Sequence, residues 1–230
     1  MQNQEEPYSK AEVRAWLEDG NTLEERDLSR TSLIGFSMPK LNLKGASFQG
    51  ADLRYANLAG VRLEGANLKS ANLRGVKLSG ANLSGANLEN ALLDNANLWK
   101  ADLREACFKN ATLRHASLRA TKVDKTDFSN ADLQGANLTG AKGCLSAKFD
   151  NADLRGANAK FTGLDSRELM GVGAKVDDIS EGRFKIRVFD FFKVEEKQKS
   201  SYIVAFFAFL FGKLFSLFKK LSSRKSKSKT

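Results

Sequence analysis

Few side chains in this sequence are of the types that perform nucleophilic or metal chemistry. His115 is the sole histidine, and the two cysteines, Cys107 and Cys144, form no CxxC pair. A single histidine cannot build a zinc site, and this cysteine spacing predicts no disulfide framework, which indicates a reducing compartment. We therefore expect no catalytic residue, no metal site and no bound cofactor. His115 and Cys107 are expected to be surface residues that can be replaced without loss of function.

Two glycine-containing stretches fall short of phosphate-binding motifs. Gly171 and Gly173 lack the third glycine of a dinucleotide-binding loop, and Gly212 is followed by Lys213 and Leu214 without a glycine-rich loop before it. Both motifs need that complete loop to wrap a phosphate group. Asp and Asn recur along the chain like an array of carboxylates, but their regular spacing is typical of turns and ladders. The sequence thus predicts a protein that is not an enzyme.

A period of five residues runs through more than half of the chain. A large apolar residue occupies every fifth position from Leu28 to Leu138, and from Ala51 to Ala136 a small residue, mostly Ala, stands two positions before it. The residue between them is usually Asn or Asp. An α-helix repeats near 3.6 residues and a β-strand repeats at 2, so neither element explains this period. The pattern A-[DN]-L-x-x resembles the repeats of the pentapeptide-repeat family.

This resemblance implies an all-β solenoid: a right-handed quadrilateral β-helix of about seven coils. Each pentapeptide would form one side and four would form one turn, with the Leu or Phe and the Ala pointing inward. Residues 20 apart should then stack, and Phe48, Phe108 and Phe128 share that phase. A one-residue insertion near 143–145 brings Phe149 into the same column. The core phenylalanines are therefore expected on one side of the coil.

The segments outside the repeat complete the predicted organisation. Residues 1–22 contain a helix predicted over 10–19, which begins with a capping box of Ser9 and Glu12 and ends at Gly20. We expect this helix to cover the first coil, because an open solenoid end exposes core and unpaired backbone. The repeat occupies 23–165 and a linker or cap 166–200. A hydrophobic, Phe-rich helix is predicted over 201–221, and a basic disordered tail over 222–230.

The net charge of +10 is distributed unevenly along the chain. Residues 46–165 contribute about +4, whereas residues 183–230 contribute about +10. Within the repeat, three arginines share one outward column and an outward tryptophan shares a column with a fourth. Exposed aromatic and arginine side chains are plausible binding residues. The surface contact candidates are Trp99, Arg119, Arg54, Arg74 and Arg114.

The charge of the repeat also bears on nucleic acids. Some pentapeptide-repeat proteins resemble duplex DNA in shape and charge and thereby protect type II topoisomerases. That mimicry requires a strongly acidic rod, and this repeat has a positive balance, which disfavours it. Direct nucleic-acid binding is not expected either, because the basic residues lack a dense patch interleaved with aromatic residues.

Three placements compete for the Phe-rich segment 201–221. A bilayer span is disfavoured, because residues 203–218 would extend about 24 Å across a hydrocarbon core of about 30 Å, with Lys213 near the middle. An interfacial helix with basic flanks fits anionic lipid best. A dimer contact or rod cap ranks second. The predicted membrane-contact residues are Phe206, Phe207, Leu210, Phe211, Leu214, Phe215, Leu217, Phe218, Lys219 and Lys220.

These features predict a non-enzymatic scaffold that binds an unidentified protein partner. The polar, acidic start of the chain differs from a secretory signal, so we expect a cytoplasmic protein, peripheral at the inner face of an anionic membrane. The alternative is a soluble, dimeric, topoisomerase-interacting protein of the gyrase-protecting type. In that alternative, the C-terminal helix forms the homodimer contact.

Overall fold

The computed structural model describes residues 8–20, 22–160, 162–164 and 166–176. Helix α1 covers Lys10–Glu18, a 3₁₀ turn covers Cys144–Ser146, and helix α2 covers Ser166–Gly171. All three lie in the first of two compact units, Met1–Asp178. The predicted hydrophobic helix over 201–221 and the predicted basic tail over 222–230 lie outside the described residues.

From residue 22 to residue 160 the chain winds into a coil with a repeat of 20 residues. Parallel bridges join residues 20 apart, from Asp27 and Ser47 to Lys122 and Lys142. Each side of each coil contributes one bridging residue. The described residues therefore form isolated β-bridges rather than strands of several residues. Successive bridges at 27, 32, 37 and 42 define four sides. Seven coils spaced by about 4.8 Å make a rod about 30 Å long.

Backbone hydrogen bonds connect each coil to the coils before and after it. The Leu53 N–H donates to the Asn72 carbonyl at 2.8 Å, and the Asn72 N–H donates to the Ala51 carbonyl at 2.8 Å. The same exchange recurs on every side between neighbouring coils. A buried backbone needs these partners, so the ladder satisfies groups that the narrow coil hides from water.

The corners between sides are tight turns with one left-handed residue. At one corner the Ala56 N–H donates to the Leu53 carbonyl at 3.1 Å, and Tyr55 between them has a φ of 58°. A turn with positive φ at its third residue favours Gly or Asn there. This requirement explains the abundant glycines. Some corners nevertheless hold a residue with a Cβ, such as Ala120 with a φ of 55°.

Replacing Ala120 with Gly should stabilise the fold by about 1 kcal/mol, because a Cβ strains the left-handed conformation. The reciprocal change, Gly85→Ala, should destabilise the fold by a similar amount. Gly85 has a φ of 66° and open space where a Cβ would lie, so only backbone strain changes there. Urea unfolding followed by circular dichroism measures both changes. An Ala120→Gly variant no more stable than the parent would contradict this account.

The two inward positions of each pentapeptide fill the core, as the sequence predicts. From Ala46 to Leu138 every residue at these positions is at most 1% exposed. Thr121 and Thr126 occupy two of the Ala positions, and each hydroxyl donates to a backbone carbonyl at 2.7 Å. Those hydrogen bonds offset the cost of burying a polar group. The core is therefore continuous along the rod.

Phenylalanines form a stack on one side of this core. The ring centroids of Phe108 and Phe128 lie 5.2 Å apart, and those of Phe128 and Phe149 lie 5.3 Å apart. Phe149 reaches the stack because the 3₁₀ turn adds one residue, after which bridges join residues 21 apart. The predicted insertion and the predicted column are thus confirmed.

The two helices lie next to the ends of the described coil. In α1, the Glu12 N–H donates to Ser9 Oγ at 3.2 Å and the Ser9 N–H donates to the Glu12 carboxylate at 2.6 Å. Val13 of this helix is buried in the core of the first coil. At the other end, a bridge from Asp153 to Lys175 follows α2, so the ladder extends into the segment 166–200.

Candidate interaction surface

The outward residues divide among four sides, named here by their core residues. Side 1 contains core residue 28, the residues 20 apart from it up to 128 and, after the one-residue insertion, residue 149. Sides 2, 3 and 4 contain the corresponding sets that begin at 33, 38 and 23. Each core residue has three outward neighbours, one before it and two after it. The chemistry of a side is therefore set by residues far apart in the sequence.

Three of the four sides are electrically neutral. Sides 1 and 2 each carry four acidic and four basic residues at outward positions, and side 4 carries six of each. Ion pairs join them within a side, such as Lys69 Nζ to Glu89 at 2.9 Å on side 1 and Lys122 Nζ to Asp102 at 3.2 Å on side 4. Exposed pairs of this kind contribute at most about 1 kcal/mol each. Their main effect is to cancel charge on these sides.

Three of the candidate arginines belong to this neutral surface. Arg54, Arg74 and Arg114 lie on side 2, and each forms an ion pair with an acid of that side: Asp52, Asp94 and Asp132 respectively. The hydrogen bond from the Arg54 guanidinium holds the pKa of the Asp52 carboxyl below its usual value. The guanidinium groups of these three arginines are thus already paired with carboxylates of the coil itself.

Side 3 differs from the other three sides. From residue 37 to residue 160 its outward positions carry no acidic residue and five exposed basic ones: Lys40, Lys77, Lys100, Arg119 and Lys160. None of the five has an ion-pair partner within the described part of the chain. Because the other sides are neutral, side 3 dominates the electrostatic field of the coil.

The two remaining candidates, Trp99 and Arg119, come together on side 3. Trp99 is 45% exposed, and Lys100 Nζ lies 4.4 Å from its ring centroid. The Lys100 N–H donates to the Arg119 carbonyl at 2.9 Å, which places Arg119 in the next coil. A surface notch of about 410 Å³ lies at this point, lined by Asn95, Ala96, Asn97, Trp99, His115, Ser117 and Arg119.

Sequence reasoning missed part of this surface. It did not select Lys40, Lys77, Lys100 or Lys160, and it expected no role for His115, which borders the notch. Arranging the sequence in rows of 20 and summing charge for each side would have found the four lysines. The predicted membrane-contact residues within 201–221 lie outside the described residues.

The described residues offer little for catalysis. Burial raises the pKa of the Cys144 thiol to about 12, so this thiol stays protonated and is a poor nucleophile. No group of three or more His, Cys, Asp or Glu side chains in the described ranges could hold a metal ion. A second notch, of about 420 Å³, lies between α1 and the first coil and is lined by Lys10, Arg14, Leu17, Glu18, Gly35, Phe36 and Ser37.

The chain belongs to the pentapeptide repeat family. The family model, pentapeptide repeats, matches eight copies in the overlapping stretches 27–65, 46–85, 81–119 and 111–142, which together span just over half of the chain. Members of this family fold as right-handed quadrilateral β-helices, and the coil described above has the corresponding four sides and 20-residue turn. The resemblance inferred from the sequence is thereby confirmed.

Several solved structures of pentapeptide repeat proteins are similar to this chain. HetL, involved in heterocyst differentiation regulation in the cyanobacterium Nostoc sp. strain PCC 7120, is 24% identical over 73% of this chain and 94% of its own, with a TM-score of 0.41. The plasmid-mediated fluoroquinolone resistance protein QnrB1 is 18% identical over 69% and 87%, with a TM-score of 0.46. A protein of the Arabidopsis thaliana thylakoid lumen is 30% identical over 53% and 68%, with a TM-score of 0.25. No curated protein sequence matches the chain. Because one fold hosts many functions, function has to be argued from this chain's own surface.

Proposed function

We propose that this chain is a non-catalytic scaffold that binds a protein partner through side 3 of its β-helix. The observation that carries this proposal is the contrast between sides: acidic and basic residues balance on three of them, while the five cations of the fourth, beside the exposed Trp99, have no acidic partner among the described residues. Trp and Arg are the residue types most concentrated in binding hot spots. The continuous hydrogen-bond ladder supports a display role, because it holds these side chains at set intervals.

We further propose that residues 201–221 and their basic flanks hold the scaffold on an anionic membrane, at its cytoplasmic face. The support for this is the sequence alone: a Phe-rich apolar stretch is followed by Lys219, Lys220 and further basic residues. Each basic residue near such a surface contributes about 1 kcal/mol to binding. No helix among the described residues is long and apolar enough to cross a bilayer. Helix α1 is assigned the role of N-terminal cap, supported by the burial of Val13.

A flotation assay tests the membrane attachment. The full chain should float with phosphatidylserine-containing vesicles, and high salt should weaken its binding, because part of the attraction is electrostatic. A truncation after Glu196 should stay at the bottom, and pure phosphatidylcholine vesicles provide the matched control. A full chain that stays at the bottom as a dimer, together with a monomeric truncation, would show that the segment is a protein contact and would overturn the attachment.

The gyrase-protecting alternative requires a surface that resembles DNA. The described sides are neutral or basic, and an acidic side is what mimicry of a polyanion needs. We therefore expect no protection of gyrase from a fluoroquinolone in a DNA supercoiling assay. Protection by a dimeric full chain would replace the scaffold proposal with this alternative.

A further inference from the structure

The cations of side 3 are most dense at the middle of the rod. Lys77, Lys100 and Arg119 belong to three consecutive coils, spaced by about 4.8 Å along the axis. Lys40 lies about two coils before this group and Lys160 about two coils after it, so positive charge extends along nearly the whole side. A ligand that neutralises this surface must be anionic and elongated along the rod axis.

Trp99 lies at the centre of this line, in the fourth of the seven coils. On the N-terminal side of its ring, the two outward residues that follow each core residue are small: Ala59 and Gly60, then Ser79 and Gly80, with Lys77 beside them before its core residue. On the C-terminal side is the notch that Arg119 borders. Along the rod axis, the surface therefore presents first a low shelf of small residues, then the protruding Trp99 ring, and then the notch. This relief can accept a chain on the shelf and one of its side chains in the notch.

We propose that side 3 binds an acidic, extended polypeptide segment of the partner, and this inference rests on the scaffold function proposed above. Carboxylates of the segment pair with Lys77, Lys100 and Arg119, and Arg119 provides a planar fork suited to a bidentate carboxylate contact. An apolar side chain of the segment enters the notch against Trp99. The amide and hydroxyl groups of Asn95, Asn97 and Ser117 around the notch can pair with peptide groups of the same segment.

Other polyanions fit this side less well. A single-stranded nucleic acid is held by aromatic platforms for successive bases, and Trp99 is the one aromatic residue that the described part of side 3 presents. A duplex presents about one phosphate per 1.7 Å of axis, far denser than five cations over the rod. A lipid surface favours a broad apolar face, which this side lacks. A second copy of the described coil offers only neutral or basic sides, so like charges would oppose it.

Trp99 fluorescence can report binding at this surface in the full chain. A Trp16→Phe background leaves Trp99 as the one tryptophan of the chain, so the fluorescence signal reports binding at Trp99. The probe is a synthetic peptide of alternating Glu and Ser with one central Phe, titrated at low salt and at physiological salt. We expect a saturable change in Trp99 emission that weakens as salt rises.

Two charge-reversed variants make the test specific. Lys77→Glu combined with Arg119→Glu should weaken binding of the peptide by about tenfold or more. The matched control is Lys44→Glu combined with Lys142→Glu, which changes the net charge equally at exposed residues of side 4. The control should change binding by about twofold or less, because those positions are remote from Trp99. Equal thermal unfolding of both variants excludes misfolding as the cause.

Four results would overturn the proposal. Equal loss of binding in the side 4 control would mean that diffuse charge attracts the peptide. Tighter binding of an oligothymidine, read by the same Trp99 signal, would assign the surface to nucleic acid. Tighter binding of phosphatidylserine vesicles at Trp99 would assign it to lipid. If the full chain floats with vesicles but does not bind the peptide, the peptide-binding inference is wrong and the membrane-attached scaffold stands. Failure of the inference is thus distinguishable from failure of the proposed function.

Discussion

Replacing Phe128 with Ala should lower the free energy of unfolding by about 3–5 kcal/mol, the largest effect that we expect from a single substitution. Phe128 is fully buried and its ring contacts the rings of Phe108 and Phe149, in the coils before and after it. Removal of the ring leaves a cavity that the hydrogen-bonded backbone of three coils cannot close. Urea unfolding monitored by circular dichroism measures the loss.

A pair of milder substitutions isolates the contribution of the aromatic stack. Phe48 occupies the same column and is equally buried, but its neighbours one coil away are Leu28 and Leu68. Phe128→Leu removes two ring–ring contacts, each worth about 0.5–1.5 kcal/mol, and Phe48→Leu removes none. Phe128→Leu should therefore cost about 1–3 kcal/mol more than Phe48→Leu. Equal losses for the two variants would show that the rings contribute by volume alone.

Replacing Lys77 with Pro should destabilise the fold by about 3 kcal/mol, the second large effect. The Lys77 N–H donates to the Ala56 carbonyl of the preceding coil at 2.9 Å. Proline has no N–H, and its ring would crowd that carbonyl, which would be left without its partner in the ladder. The Lys77 side chain is exposed, so the effect comes from the backbone. Thermal and urea unfolding of the variant measure it.

The matched control for Lys77→Pro places the proline two positions further along the chain, at Ser79. Ser79 follows a core residue as the second residue of a corner turn, a position that favours proline. Its carbonyl accepts from the Gly60 N–H at 2.9 Å, a bond that proline retains. Pro39 already occupies the equivalent position two coils earlier. Ser79→Pro should change stability by about 1 kcal/mol or less, and a loss equal to that of Lys77→Pro would contradict the assignment of donors in the ladder.

The same ladder explains why a change on the surface need not disturb the fold. Core burial and backbone pairing hold the coil together, and the side chains of Lys77 and Arg119 are exposed. Substitutions on side 3 can thus alter binding without unfolding the rod. This separation makes the charge-reversal test on Lys77 and Arg119 interpretable.

Much of this fold is encoded locally and could be read from the sequence. The five-residue period assigns each side chain to the inside or the outside, because one pentapeptide makes one side of the coil. The phase of 20 residues then predicts that Phe108 stacks on Phe128, and a single inserted residue predicts that Phe149 rejoins them. The capping box of Ser9 and Glu12 likewise needs only residues three apart.

The interaction surface depends on contacts that no short stretch of sequence contains. Arg74 and Arg114 are neutralised by acids 20 and 18 residues away, whereas Arg119 has no acid on the described part of its side. Among the candidate arginines with an ion pair, Arg54 alone has its acid, Asp52, close by in the sequence. The notch of Trp99 and His115 exists because stacking places residues from two coils side by side. Local pattern determines which side chains point outward, and the closure of the coil determines which of them meet, because electrostatic and packing contacts act across space rather than along the chain.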